Sequence, residues 1–128
     1  MPQTNTDDLC LRFLNLSGEI RFAGVIDRMG GLIAGGMKEG IESLENEEES
    51  IKLYLGYAFN NAVRQDFDPT FGKVLYTVSE REKLKLATFP FGENILLVSM
   101  SKQAPHLEII DHILHILRNP FSEHSRIT

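Results

Sequence analysis

Residues Glu19-Ile20-Arg21-Phe22-Ala23-Gly24-Val25-Ile26-Asp27-Arg28-Met29-Gly30-Gly31-Leu32-Ile33-Ala34-Gly35-Gly36 hold the pattern that decides the fold. From Glu19 to Asp27 the side chains alternate as in a strand, with Ile20, Phe22, Gly24 and Ile26 facing one way. Arg21, Ala23, Val25 and Asp27 face the other. Met29-Gly30-Gly31 supplies a turn, and Leu32 to Gly36 reads as an apolar return strand. Gly35 and Gly36 close that strand where another backbone can pack close.

Ahead of the hairpin, Asp7 and Asp8 are candidate caps of a helix whose apolar face is Leu9, Cys10, Phe13 and Leu14, stopping at Ser17-Gly18. Behind it, Met37 to Glu49 is loop-like and acidic, with Glu42, Glu45, Glu47, Glu48 and Glu49. A helix is expected from about Ser50 to Asp66, either capped by Ser50 or with the glutamates already in its first turn. At about 100° per residue, Ile51, Tyr54, Leu55, Ala58, Phe59 and Ala62 form its core stripe. Leu53 and Tyr57 fall on the opposite side, one turn apart, among Asn60 and Arg64.

Asp68-Pro69 ends that segment. Three strands follow: Val74 to Ser79, Lys83 to Phe89, and Ile95 to Met100, linked by the turns Glu80-Arg81-Glu82 and Pro90 to Asn94. The last is apolar on both faces, which marks a central strand. A final helix runs from Leu107 to Arg118 behind Pro105 and stops before Pro120. Its apolar half is Leu107, Ile109, Ile110, Ile113, Leu114, Ile116 and Leu117, and the tail Phe121 to Thr128 is expected to fray. The order is α-β-β-α-β-β-β-α. It predicts an α/β (α+β) chain with a five-stranded antiparallel meandering sheet and helices on its faces. No repeat or linker divides the chain, so residues 1–128 are expected to form a single domain with an ordered core of about 7–118.

The 128 residues include 42% hydrophobic and 24% charged side chains, ordinary for a globular domain. No apolar run approaches the roughly 20 residues that cross a bilayer. The polar start, Met1 to Asp8, has neither the basic nor the apolar region of a secretion signal, and Cys10 is the single cysteine. Both point to a reducing cytoplasm. The net charge of −5 opposes nucleic acid and anionic membrane surfaces as partners.

Candidate chemistry is sparse. Gly30-Gly31 and Gly35-Gly36 bracket a strand instead of opening a helix, and Lys38 lacks the following Ser or Thr of a phosphate loop. His112 and His115 join Glu108, Asp111 and Arg118 in one polar helix face, where ordinary i,i+4 surface pairs account for them. Zinc proteases need HExxH, and closed zinc sites favour cysteines; neither pattern occurs. Ser122-Glu123-His124 stands on the tail, and no GxSxG elbow exists. Cys10, on an apolar face without a His or CxxC partner, reads as a small core residue. Arg81, Lys83 and Lys85, with Lys73 near, form a small basic group; Lys83 and Lys85 share a strand face and read as protection of an exposed strand. No catalytic residue, cofactor or metal is expected.

Ile20-Arg21-Phe22-Ala23-Gly24-Val25-Ile26, Leu32-Ile33-Ala34-Gly35-Gly36, Lys38-Glu39-Gly40, Arg81-Glu82-Lys83, Phe89-Pro90 and Ile95-Leu96-Leu97-Val98-Ser99 together resemble an uncharacterised family of small archaeal proteins, chiefly of ammonia-oxidising lineages. More remotely, the element order resembles the roadblock/longin-type, profilin-like fold. Roadblock domains commonly dimerise and regulate small GTPases or scaffold complexes, so that resemblance implies self-association and a small GTPase as partner. The acidic insertion Glu42 to Glu49 departs from it.

The expectation is therefore a non-catalytic, homodimeric protein-interaction or regulatory module, with Leu53, Tyr57 and Arg64 at the interface. The alternative is an anion-sensing domain whose pocket lies between sheet and helix, with Arg21 or Lys85 as the anchor. Exposure of Leu53 and Tyr57 favours the first reading, and an arginine turned inward at the sheet favours the alternative.

Overall fold

The computed structural model describes residues 2–120. The elements are α1 (Pro2–Leu14), β1 (Ile20–Ile26), β2 (Leu32–Met37), α2 (Glu47–Gln65), α3 (Asp68–Phe71), β3 (Thr77–Glu80), β4 (Leu84–Phe91), β5 (Asn94–Ser101) and α4 (His106–Arg118). The five strands form one antiparallel sheet in the order β2-β1-β5-β4-β3. β5 lies at its centre, as a strand with apolar residues on both faces predicts. The fold class read from the sequence is the one observed.

Two buried clusters lie on opposite faces of the sheet. On one face α1 and α4 pack Leu9, Phe13, Ile109 and Ile113 over Val25, Phe89, Leu96 and Val98. On the other face, beneath α2, the buried cluster is smaller: Phe22, Ile26, Leu86 and Leu97, with Ile95 and Ser99 also buried beside it. A bulge between Ile20 and Phe22 assigns the side chains of β1 to these faces. Because of it, Ile20 joins Ala23 and Val25 under α1 and α4, whereas simple alternation placed it with Phe22.

At the hairpin tip, Asp27 Oδ1 accepts from the amides of Met29 and Gly31, each at 2.9 Å. Gly30 takes the positive φ of 84° that this turn needs. Gly35 also has a positive φ, and a Cβ there would collide with the Ala23 carbonyl and crowd Cys10 Sγ. Close backbone approach thus holds at Gly35, whereas a Cβ at Gly36 meets nothing. The Gly35 amide donates to Asp7 Oδ1 at 3.1 Å, so Asp7 ties α1 to the sheet and does not cap its own helix, which begins at Pro2.

Several boundaries differ from those read in the sequence. α2 starts at Glu47, because Asn46 is the cap: its Oδ1 accepts from Glu49 N at 2.8 Å, while Glu49 Oε1 accepts from Asn46 N at 3.0 Å. Asp68-Pro69 opens a short extra helix after α2 has ended, since proline suits a first helical turn. β3 is limited to four residues, and Leu107 on α4 is exposed. The expected fraying of Phe121 to Thr128, and the Ser122-Glu123-His124 triplet, lie outside the described residues.

Candidate functional site

The crossover helix α2 is apolar on two sides, and it is rotated from the orientation read from periodicity: of the expected core stripe Tyr54 and Ala58 face the sheet, whereas Ile51, Leu55, Phe59 and Ala62 are exposed. Leu53, Tyr54 and Tyr57 are half-buried and Ala58 is buried; the first three pack on Phe22, Ile26, Leu86 and Leu97. The Tyr54 and Phe22 rings lie 6.2 Å apart. Ile51, Phe59 and Val63 point away from the sheet and are 55%, 70% and 43% exposed, and Leu55, 49% exposed, lies with one edge against Gly30 at the hairpin tip. The sheet beneath α2 explains the choice. Its residues in this layer include Gly24, Thr77, Ser79, Thr88 and Ser99 as well as the four apolar ones, a surface better met by tyrosines than by Ile or Phe. Burial raises the pKa of the Tyr57 phenol, an effect that Arg81 and Arg64 oppose. Burial and the nearby Glu45 likewise raise Tyr54, against a hydrogen bond with Ser50.

Leu53, Tyr57 and Arg64 are therefore brought together, but on the inner flank of α2. Arg64 Nη1 donates to Thr77 Oγ1 at 2.9 Å and fastens the last turn of the helix to edge strand β3. The outer face carries the four exposed apolar side chains at a constant spacing of four. Phe67 and Phe71 continue that spacing beyond α2, stacked 6.0 Å apart at 18°. Sequence periodicity finds Ile51, Leu55 and Phe59 but places them in the core; their exposure is the part it misses.

The two candidate anion contacts lie on opposite faces of the sheet. Arg21 is half-buried beside the bulge, where its Nη2 donates to the Glu42 carbonyl at 2.9 Å, and it lines a groove on the α2 side. Lys85 is only 7% exposed and lies on the other face. Its Nζ donates to the Ala104 carbonyl at 2.8 Å and lies 2.9 Å from His106 Nδ1. It anchors the segment leading into α4 and is neither an exposed-strand lysine nor open to a ligand. Lys83 precedes β4 and lines the groove, so the two lysines do not share a face. His112 and His115 line a separate surface groove between α1 and α4, next to Asp8, Arg12, Asp111 and Arg118.

A family model spans residues 1–123 of the chain. The protein belongs to DUF6659, a family of unknown function. No curated protein matches its sequence. Among solved structures, this DUF6659 chain is similar to the gliding protein MglB of Thermus thermophilus. The two are 20% identical, with a TM-score of 0.72 over 99% of this chain and 93% of that one. It is also similar to an MglB described as having a tetrameric arrangement, at 20% identity and a TM-score of 0.73 over 98% and 91% of the two chains. A Roadblock/LC7 domain from Streptomyces avermitilis aligns at 12% identity, with a TM-score of 0.65 over 88% and 91%. At these identities the likeness is one of fold, and the fold is that of roadblock domains.

Proposed function

We propose that this DUF6659 protein is a non-catalytic regulatory interaction module of the cytoplasm, and that it works as a homodimer joined through the outer face of α2. The observation that carries the reading is the row Ile51, Leu55, Phe59 and Val63, four exposed apolar side chains one turn apart on a helix that already has its inner face packed. Scattered apolar residues are normal at a surface; a continuous ridge of them marks a contact.

A second copy of this chain is the occupant that such a ridge fits. Side chains spaced by four form one of the two natural ridges of a helix. Identical ridges interdigitate when the helices cross at about −50°, some 8–10 Å apart. Gly56 leaves open space on one flank of the ridge, and a two-fold axis between Leu55 and Phe59 seats each aromatic ring beside the partner's glycine. The MglB described as tetrameric has the same fold, which supports self-association here. Roadblock resemblance extends the reading to a small GTPase as the protein that the dimer regulates.

Light scattering is expected to show a dimer at micromolar concentration, and Leu55→Asp with Phe59→Asp a folded monomer. Leu53→Asp with Tyr57→Asp should instead unfold the chain, because those side chains lie against the sheet. A monomeric wild type at high micromolar concentration, or a dimer that survives the Leu55/Phe59 change, overturns the interface.

A further inference from the structure

The apolar ridge of α2 borders the tip of the β1–β2 hairpin. A Cβ on Gly30 would stand 3.1 Å from Leu55 Cα, so the turn lies directly against the helix backbone. Leu32 reaches over Gly24 beside Phe22 and is 42% exposed, and Met29 at the tip is 82% exposed.

Between this tip, the Gly92 turn and the second half of α2 runs a groove of about 460 Å³. Ala58, Ala62, Ile95 and Met29 line it. The two charged residues of its lining, Arg28 and Glu93, pair with each other at 3.8 Å. It therefore has no net charge to hold an ion, and its small and aliphatic lining suits an apolar side chain.

Area decides whether the ridge alone makes a stable contact. Such a contact buries about 800 Å² per partner, some two thirds of it apolar between identical chains. From their exposures, Ile51, Leu55, Phe59 and Val63 offer roughly 400 Å² per copy, which falls short. Met29 and Leu32 raise the adjoining apolar surface to roughly 600 Å², which meets the need.

One surface thus presents a ridge of side chains four apart and, beside it, a groove walled by Ala58 and Ala62, also four apart. A two-fold contact requires such self-complementarity, whereas an unrelated partner needs only the ridge or the groove. With the axis between Leu55 and Phe59, Ile51 of one protomer comes level with Ala62 and Val63 of the other.

We infer, on the reading of α2 as a dimer contact, that this groove completes it: Ile51 of each copy enters the groove of the other, against Ala58, Ala62 and Met29. The hairpin tip is then part of the interface.

Sedimentation equilibrium of the full chain and its variants measures the dimer Kd. Met29→Asp should weaken the dimer at least about tenfold and leave the chain folded, because the side chain is exposed. Ala62→Leu, which occupies the groove at an exposed helical position, should weaken it by a similar factor. Combined with Ile51→Ala, which removes the entering side chain, Ala62→Leu should cost less than the two changes added separately. Phe71→Asp, at an aromatic as exposed as Met29 but outside the contact, should leave Kd within about twofold. A dimer that Leu55→Asp with Phe59→Asp abolishes, but that is indifferent to Met29→Asp or to Ala62→Leu, overturns this inference alone. Additive costs for Ile51 and Ala62, or a loss with Phe71→Asp equal to that with Met29→Asp, do the same. A monomeric wild type overturns the α2 contact itself, and the groove's role with it.

Discussion

The two faces of the sheet are built to different standards. Under α1 and α4, eighteen buried residues form one continuous cluster, whereas the cluster under α2 has four. The first face is apolar almost throughout, with Lys85 at its margin tied to the Ala104 carbonyl. The second alternates Phe22 and Leu86 with Ser79 and Ser99, and Leu97 with Gly24, Thr77 and Thr88. Burying apolar area is the main favourable term in folding, so the α1/α4 side supplies most of the stability. The α2 side gives up part of that stabilisation. In exchange it has an open groove, a helix with two usable faces, and tyrosines whose hydroxyl ends reach charged neighbours. The contrast teaches where to look for function in a chain without catalytic residues: on the less completely packed side.

Neighbouring residues of one type test this contrast most directly. Leu96 and Leu97 are both buried and follow each other on β5, but they point to opposite faces. Leu96→Ala should leave a cavity within the larger cluster and cost about 4 kcal/mol, while Leu97→Ala should cost about 2 kcal/mol because the groove lets its surroundings relax. Urea denaturation of both variants measures the difference. Equal costs would mean that the two faces are packed alike.

The dry face also has a titration signature. Burial, with Asp7 nearby, raises the Cys10 thiol from 9.0 to about 11. Below pH 9 the thiol is protonated in both folded and unfolded chains and the full stability is present. Above it the unfolded chain releases a proton that the folded chain retains, so stability falls until the pH passes about 11. The loss should be of order 2 kcal/mol. Tyr54 and Tyr57, also raised by burial, push the same way at higher pH. Comparing Cys10→Ala with the wild type therefore isolates the thiol: the difference between their stabilities should shrink from pH 9 upward. A difference constant with pH would place Cys10 in a wetter site.

The smallest effect is expected on the solvent side of α4. His112 and His115 are exposed there. Replacing both with Gln should change stability by no more than about 0.5 kcal/mol, read from the same denaturation curves. A larger loss would give that polar face a structural role and narrow the contrast between the two sides of the molecule.

Much of this was legible in the residues themselves. The turn at Gly30-Gly31, the centrality of Ile95 to Met100 and the buried half of α4 all follow from local pattern, because turn chemistry and strand periodicity act over a few residues. The close approach at Gly35 was legible too, as a glycine pair ending a strand. The caps were harder. Asn46 and Ser50 both precede apolar periodicity, and only the reciprocal bonds with Glu49 decide between them. The bulge at Ile20 to Phe22 left no local signal, since it depends on pairing with Met100 and Ser99, some eighty residues away.

The sequence by itself determined the order of elements, the antiparallel sheet and the two apolar arcs of α2. Which arc meets the sheet was decided only in the tertiary structure. At about 100° per residue, Ile51, Tyr54, Leu55, Ala58, Phe59 and Ala62 form the wider apolar arc, and Leu53 and Tyr57 lie opposite. The helix turns Tyr54 and Ala58 inward together with Leu53 and Tyr57. Periodicity fixes the angle between the arcs and says nothing of which is inward. The choice belongs to the surface that receives the helix: four apolar side chains set among glycine, serine and threonine accept amphipathic tyrosines, and Ile51, Leu55 and Phe59 are left facing outward.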